Sequence, residues 1–472
     1  MRCHLADIAR RTMLEKGLKP DFSQEALDEA NAIQAPIAPK FGDAEDLTRL
    51  QWCSIDNDDS RDLDQLTYAE GNTVYVAIAD VTESINKNDP IDRHAAYNTT
   101  SVYTPDTIFT MIPERLCYDI TSLNPDEKRL AVVVKMALDE DADVTDYEIK
   151  LAWVYNKAKL TYNHVGPMLE GKTPFKPKEF EATLRLQNAL AQKIKAKRIK
   201  MGALTLDTAE TKAIVKDDQV LRLEAQIKNK AHELIENFMI ITNTTIAKHL
   251  KKNGYPSLRR VVREPERWDR IVNIAREKGA NLPSKPDSRA LDAFLRDQQK
   301  KDPLTFPDLS LTIIKLLGSG EYLVELPEEE PLGHFGLAIS EYAHTTAPNR
   351  RYPDIVTQNQ LKALLFNRQN PYSLDELYSI AKNCTDKEDQ AQRVERHLKK
   401  SAAACLLHDK IGSEFKGIIT GASFKGTWVR IFDPPVEGKI VQNMRHLDVG
   451  DKVNVRLLSV DIELGHIDFV KI

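Results

Sequence analysis

The spacing of apolar residues along the chain changes several times, and each spacing predicts a different kind of element. Two short stretches near the start, 4–16 and 24–33, have the spacing of helices, and Ser23 is a suitable N-cap for the second. From about 45 to 165 the pattern is mostly alternating and rich in β-branched residues. Strands are predicted there at 74–78, 130–134 and 147–151.

Helical spacing dominates the next 250 residues. Helices are predicted at 179–200, 226–252, 265–279, 288–300, 309–316, 353–366, 373–383 and 387–409. Gly412 is a suitable stop for the last of them.

After residue 415 the pattern returns to short strands separated by turns. Five strands are predicted at 417–420, 428–431, 437–441, 452–457 and 466–469. Five strands in so short a stretch is the count of an OB-type barrel, which binds single strands through aromatic and basic residues on one face. The candidates for such contacts are Lys416, Phe424, Lys425, Trp428 and Arg430. The alternative for Trp428 is that its ring fills the barrel.

Composition restricts the class of protein. The chain has 472 residues, too many for one ordinary core, and its 42% hydrophobic and 29% charged residues are typical of a soluble globular protein. Its five scattered cysteines argue against a disulfide framework and a structural zinc site, and they suit a reducing compartment. No apolar run approaches the roughly 20 residues that span a bilayer, and no signal peptide is evident. We therefore predict a cytoplasmic protein with no membrane partner.

The net charge of −5 is not typical of a nucleic-acid-binding protein, although an average can hide a local basic groove.

The chain does contain an unusual acidic cluster at 55–65. Its five aspartates are Asp56, Asp58, Asp59, Asp62 and Asp64. Like charges so close together are costly without a cation, and Mg²⁺ prefers carboxylate oxygens. The cluster predicts a metal-dependent phosphoryl site. A solvated acidic turn is the alternative, whereas an EF-hand is excluded because Arg61 and Thr67 replace its glycine and glutamate.

A second candidate site lies at 342–354, where prolines interrupt any helix until Pro353, which is acceptable at a helix start. Arg350 and Arg351 therefore lie beside a predicted helix N-terminus. Free backbone N–H groups and the helix dipole favour an anion such as phosphate there. The alternative is that one of the two arginines pairs structurally with Asp354.

Taken together, these motifs resemble the ribonuclease II/R (RNB) family of exoribonucleases. The resemblance consists of blocks in the family's order, at 55–65, 100–105 with 111–116 and 122–125, 157–162, 334–338 leading into 350–352, and 394–396. It covers about 45 to 410, and the predicted barrel follows it.

The resemblance implies an α+β fold. A short helical segment at 1–44 replaces the family's cold-shock domains, and an RNB catalytic domain, a β-sheet with surrounding helices, occupies 45–411. A five-stranded OB-type β-barrel, similar to ribosomal S1, occupies 412–472 and would bind RNA.

The implied activity is Mg²⁺-dependent 3′-to-5′ hydrolysis of single-stranded RNA to nucleoside 5′-monophosphates by a monomer. Asp56, Asp62, Asp64 and Gln65 would hold one or two Mg²⁺ ions. Arg350 would stabilise charge on the phosphate, and Tyr162 would position the scissile nucleotide. The expected RNA contacts are Tyr103, Glu395, Arg351, Lys416, Trp428 and Arg430.

The chain departs from the family's pattern at three places. Gln65 stands where the family has a further aspartate, and Leu206 stands where an aromatic residue stacks on RNA. The segment before Arg350 reads Ala-Pro-Asn in place of Ser-Pro-Ile. The alternative function is therefore a catalytically weak or inactive RNB homologue that binds RNA.

Overall fold

A computed structural model describes residues 3–35, 37–208, 211–423, 426–444, 447 and 449–472 of the chain; Phe424 and Lys425, two candidate RNA contacts, lie outside these residues. The helices are α1 (Leu5–Glu15), α2 (Gln24–Ala32), α3 (Pro90–Asn98), α4 (Tyr162–Leu169), α5 (Glu181–Met201), α6 (Lys230–Lys252), α7 (Trp268–Glu277), α8 (Ser288–Lys301), α9 (Phe306–Leu317), α10 (Tyr352–Leu365) and α11 (Leu374–Leu407). None of the helices in these residues is both long and apolar enough to cross a membrane.

Thirteen of the described strands lie before or between these helices, and the last five follow α11. They are β1 (Glu45–Asp46), β2 (Ser54–Asp56), β3 (Gln65–Glu70), β4 (Thr73–Ala79), β5 (Val102–Tyr103), β6 (Ile108–Phe109), β7 (Lys128–Leu138), β8 (Val144–Tyr155), β9 (Lys159–Thr161), β10 (Thr211–Lys216), β11 (Gln219–Ala225), β12 (Ser257–Val261), β13 (Glu321–Glu325), β14 (Glu414–Ser423), β15 (Gly426–Ile431), β16 (Glu437–Gln442), β17 (Lys452–Asp461) and β18 (His466–Lys471).

The central sheet has the strand order β1-β8-β7-β4-β3, with β1 parallel to β8 and the other pairs antiparallel. Alternate residues of its strands face opposite sides. Val74, Val76 and Ile78 belong to a core with helices α4, α5 and α6. Ala77 and Ala79 belong to a second core on the other face, around Trp52. Both faces of the sheet are thus covered.

The C-terminal strands form a closed barrel in the order β14-β15-β16-β18-β17, as the sequence predicts. Val429, Ile431, Val455 and Phe469 fill its interior, and the end of α11 packs on the same cluster through Leu407. The predicted α+β fold, a sheet with surrounding helices followed by a five-stranded barrel, is confirmed.

The prediction of two helices at 373–383 and 387–409 is wrong, because α11 runs without a break from Leu374 to Leu407. No glycine or proline interrupts this stretch. Tertiary contacts stabilise the helix between the two predicted segments: Cys384 is buried, and the Thr385 hydroxyl oxygen accepts a hydrogen bond from the Tyr322 N–H at 2.8 Å. The hairpin β10–β11 and the pair β12–β13 are not predicted by the sequence pattern.

The structure also shows the state of the five cysteines. The structure joins Cys3 and Cys405 by a disulfide, which connects the start of the chain to the end of α11. Cys53, Cys117 and Cys384 are free and buried. A single link is not a disulfide framework, and it forms where α1 packs along α11 and brings the two ends together.

Replacing His94, a buried histidine on α3, should alter how stability depends on pH. Its ring contacts Phe22 and lies 3.2 Å from the Asn98 amide nitrogen. Burial lowers the pKa of His94 from 6.5 to about 4. The unfolded chain therefore binds a proton that the folded protein excludes, so stability present above pH 6.5 is lost as pH falls toward 4. The free energy of unfolding that His94 contributes falls by about 3 kcal/mol over this pH range.

We expect the free-energy difference between the wild type and His94→Gln to shrink by this amount when urea unfolding is compared at pH 7.5 and pH 4. The exposed residue His466, changed to glutamine, provides the control and should show a much smaller change. A wild-type to His94→Gln difference that does not change with pH would contradict the prediction.

Candidate active site

The aspartate cluster is a loop between two strands of different sheets. Asp56 is the last residue of β2, and β3 begins at Gln65. β2 pairs in parallel with β9, with Asp56 opposite Thr161, so Tyr162 follows β9 beside Asp56. The sequence places the carboxylates in one loop, and the pairing of β2 with β9 brings the tyrosine to them.

A serine from a separate block fixes this loop. The Ser122 hydroxyl accepts a hydrogen bond from the Leu63 N–H at 3.0 Å and donates one to the Arg61 carbonyl oxygen at 2.9 Å. Ser122 is fully buried. The Ser122 side chain therefore fixes the backbone on either side of Asp62, and this part of the loop is not a solvated turn.

Asp64 is the most buried carboxylate of the loop, with 2% of its surface exposed. One oxygen accepts the Asn349 N–H at 3.0 Å and the other accepts the Arg350 Nε–H at 3.2 Å. Burial raises the pKa of the Asp64 carboxyl, and the charge of Arg350 opposes that shift. Two segments 286 positions apart thus meet at this carboxylate.

The other two carboxylates have different partners. Asp56 accepts hydrogen bonds from the Ser60 hydroxyl and the Asn57 N–H, both at 2.8 Å, and burial raises its pKa. Asp62 accepts the Tyr103 hydroxyl at 2.9 Å. The Tyr103 N–H in turn donates to Glu395 of α11 at 2.9 Å, so Glu395 also belongs to this group of residues.

Arg350 lies within the field of all three carboxylates. Burial by itself would lower the pKa of its guanidinium, but Asp64 and then Asp62 and Asp56 raise it above its usual value. The side chain keeps 43% of its surface exposed. A charged, partly accessible guanidinium beside three carboxylates can meet an incoming phosphate.

The neighbouring Arg351 has a structural partner, as the alternative prediction states. Its Nη2 donates to Asp354 at 2.8 Å, and the Asp354 side chain is completely buried. The proline-rich segment before α10 is fixed in the same way, because the Ala347 N–H also donates to Asp354. Asn349, at the position that departs from the family, accepts the Thr121 hydroxyl at 2.6 Å and so helps to place the loop.

Tyr162 stands beside these groups at the start of α4. The electrostatic fields of Asp56 and Arg350 act on its hydroxyl, and burial raises its pKa. Its ring stacks on His232 of α6, a residue that the sequence pattern does not single out. The one local signal is a capping box formed by Asn229 and His232 at the start of α6.

The two departures at Gln65 and Leu206 lie in different surroundings. Gln65 directly follows Asp64 and has 8% of its surface exposed. Leu206 packs on the apolar cluster of α7, α8 and α9.

A cavity of 350 Å³ adjoins Asp62 and Tyr103, and lysines 212 and 399 also line it.

The candidate RNA contacts on the barrel differ in their surroundings. Trp428 is half-buried and lies outside the interior formed by Val429 and Ile431, so the alternative that it fills the barrel is wrong. Lys416 is exposed. Arg430, by contrast, pairs with Asp308 of α9 at 2.8 Å and connects the barrel to the rest of the protein.

The donor set of the loop suits a hard cation. Asp56, Asp62 and Asp64 supply only carboxylate oxygens, which Mg²⁺ prefers. In the described part of the chain, no three carboxylate, imidazole or thiol groups are close enough to form a complete metal site. Mg²⁺ is commonly held by one or two carboxylates together with substrate phosphates.

Comparison with known proteins supports one family. Residues 44–367 match the RNB domain, and residues 413–472 match the RNase II-type exonuclease C-terminal S1 domain. Ribonuclease R of Escherichia coli (strain K12) is 29% identical over 468 residues, which cover 90% of this chain and 57% of the relative. The chain thus spans less than two thirds of that protein's length.

Solved structures of Mycoplasma genitalium RNase R have the same fold. Its complex with ribose methylated single-stranded RNA superposes with a TM-score of 0.90 at 24% identity, covering 99% of this chain and 78% of that one. Its complex with double-stranded RNA gives a TM-score of 0.88 at 25% identity, covering 99% and 83%.

Proposed function

Because the chain belongs to the RNB family, we propose that it is a 3′-to-5′ exoribonuclease that uses Mg²⁺ to hydrolyse single-stranded RNA to nucleoside 5′-monophosphates. The observation that carries the proposal is the meeting of Arg350 with Asp64 beside Asp56 and Asp62. Like charges this close together are costly unless cations balance them, and Arg350 lies in the field of all three carboxylates.

In the proposed mechanism, Asp56, Asp62 and Asp64 would hold the metal together with the substrate phosphate, one or two of them to each ion, and Gln65 would be an uncharged further ligand. Bound Mg²⁺ would supply an activated water and neutralise charge on the phosphate. Arg350 binds a non-bridging phosphate oxygen and stabilises the charge that develops in the transition state. Its partial exposure and its place between the carboxylates support this role.

The other residues would hold the RNA. Tyr162 positions the scissile nucleotide, Tyr103 packs on RNA bases, and Glu395 contacts the 3′-terminal nucleotide. The hydrogen bonds from the Tyr103 hydroxyl to Asp62 and from the Tyr103 N–H to Glu395 support a shared function of these residues, because one residue connects a proposed metal ligand to α11. Trp428 and Lys416 on the barrel would contact RNA farther from the cut. Arg351 and Arg430 have structural partners, which makes their contribution to RNA binding secondary.

The rival function is an RNA-binding homologue with little activity, and Gln65 is the observation that favours it. A glutamine ligates a metal without supplying charge, so the ion would bind more weakly. The Arg350–Asp64 pair and the buried support of the loop favour the enzyme, because RNA binding alone does not require carboxylates that repel phosphate.

A time course on a 5′-labelled single-stranded RNA of roughly 30 nucleotides tests the proposal. With Mg²⁺ we expect a ladder that shortens from the 3′ end to a short product, together with nucleoside 5′-monophosphates. EDTA should stop it. Intact RNA that still shifts on a native gel in the presence of Mg²⁺ would support the rival and overturn the enzyme.

Removing the Trp428 ring should weaken RNA binding without altering the chemical step. The ring lies on the barrel surface and lines a cavity of 410 Å³ with lysines 400 and 439. Stacking on one base contributes about 1–3 kcal/mol, so Trp428→Ala should raise the dissociation constant for single-stranded RNA by roughly 5- to 150-fold. Fluorescence anisotropy in EDTA measures it, and Trp428→Phe is the control that keeps a stacking ring. Equal affinity of Trp428→Ala and the wild type would remove Trp428 from the interface.

A further inference from the structure

The ring of Tyr162 is stacked face to face on the imidazole of His232. Their centroids are 3.9 Å apart and their planes differ by 13°. The two residues come from different elements, since Tyr162 begins α4 and His232 lies in the first turn of α6. Tyr162 is half-buried, so His232 covers one side of the ring and leaves part of it accessible to a ligand.

His232 is itself held in place by the start of its helix. The Asn229 N–H donates to His232 Nδ1 at 3.2 Å, and the Asn229 side-chain oxygen accepts the N–H groups of Ala231 and His232 at 3.0 and 3.3 Å. These reciprocal bonds form a capping box, which satisfies backbone donors that a helix start leaves without partners. The imidazole plane is thereby fixed relative to the axis of α6.

Asn229 also binds the backbone of the tyrosine. Its amide nitrogen donates to the Tyr162 carbonyl oxygen at 2.9 Å. The close approach depends on Gly166 one turn along α4, because a methyl group there would overlap the Asn229 amide. One asparagine thus holds the main chain of Tyr162 directly and its ring through His232.

We propose that His232 and Asn229 are positioning residues that fix the Tyr162 ring against the scissile nucleotide. This inference rests on the proposed exoribonuclease function and extends it to a second layer of residues. Rotation about the tyrosine side chain would otherwise move the hydroxyl away from Asp56 and Arg350, whose fields it experiences. A ring that is fixed before RNA binds costs less ordering entropy when the nucleotide arrives.

The test compares two apolar replacements that differ in shape. His232→Phe keeps a flat ring for stacking, whereas His232→Leu does not. We expect His232→Leu to lower kcat by up to about 10²-fold with KM nearly unchanged, because a misplaced group loses reactivity. His232→Phe should restore most of kcat. Urea unfolding of each variant shows whether it remains folded.

A matched control is available on the same helix. His249 is edge-on to Tyr147 and lies 3.1 Å from its hydroxyl, so it is a second histidine of α6 with a tyrosine partner. It lies near the far end of α6 from His232. His249→Leu should affect stability in the same way as His232→Leu but leave kcat within about twofold of the wild type, since distant sites act independently.

A double-mutant cycle completes the experiment. If His232 acts through Tyr162, adding His232→Leu to Tyr162→Ala should lower kcat by less than about twofold. Full additivity of the two losses, or equal kcat for the leucine and phenylalanine variants, would overturn the inference while the wild type still degrades RNA. A wild type that does not cleave RNA would overturn both the inference and the proposed function.

Discussion

Asp64→Asn is expected to abolish RNA cleavage while RNA binding is retained. The substitution keeps the size of the side chain and an oxygen that can accept the Asn349 N–H. It removes the charge that the proposed metal site needs and that pairs with Arg350. Metal-assisted charge stabilisation is worth several kcal/mol, so we expect a loss of about 10³-fold or more in kcat.

Single-turnover cleavage of labelled RNA and anisotropy titration with the same RNA measure the two effects separately. Asp59→Asn is the matched control, because Asp59 lies in the same loop but is exposed and pairs with Lys212. It should cleave within about twofold of the wild type, as surface substitutions usually have small effects. An Asp64→Asn protein that no longer binds RNA, or that still cleaves it at the wild-type rate, would contradict the role given to Asp64.

Alanine at the two adjacent arginines should have opposite consequences. Arg350→Ala removes a partly exposed guanidinium, and we expect kcat to fall by about 10²- to 10³-fold, the cost of losing one transition-state donor. Its effect on folding should be smaller than that of Arg351→Ala. Burial already raises the pKa of the Asp64 carboxyl, so this group can take up a proton when the arginine is lost, and it keeps the Asn349 N–H as a donor.

Arg351→Ala should instead destabilise the fold. It leaves the Asp354 carboxylate buried with no cationic partner, which costs about 3–5 kcal/mol. Urea unfolding at pH 7.5, followed by kcat at a temperature where both variants are folded, separates the two results. If Arg351→Ala unfolds like the wild type, or if Arg350→Ala retains full kcat, the assignment of roles to this pair is wrong.

The elements with strong local periodicity were predictable. The N-cap at Ser23 is observed, with its hydroxyl accepting the Ala26 N–H at 3.3 Å. The predicted strands at 74–78 and 130–134 are the centres of β4 and β7, which are longer than expected because neighbouring strands pair with their ends. Because both faces of the sheet are covered, these strands are short runs of apolar and β-branched residues, and such runs can be recognised without knowing which strand pairs with which.

Parts of the candidate site were also predictable. The aspartates at 55–65 form a local motif whose clustered negative charge predicts a cation site. The arginines before α10 form another, and their place beside a helix start predicts an anion site. Their relationship is not local. The contact between Asp64 and Arg350 depends on packing α10 and its preceding loop against the end of the sheet, through the Thr121–Asn349 hydrogen bond among others.

By itself, the sequence determined most of the helices, three strands of the central sheet, the barrel, the aspartate loop and the resemblance to the RNB family. The tertiary structure decided which arginine faces the carboxylates and which pairs with Asp354, that Arg430 joins the barrel to α9, and that His232 supports Tyr162. It also made α11 one helix and joined Cys3 to Cys405. The physical reason is range: periodicity and capping act within a few residues, whereas the partner of a charge or a ring is chosen by how distant surfaces pack.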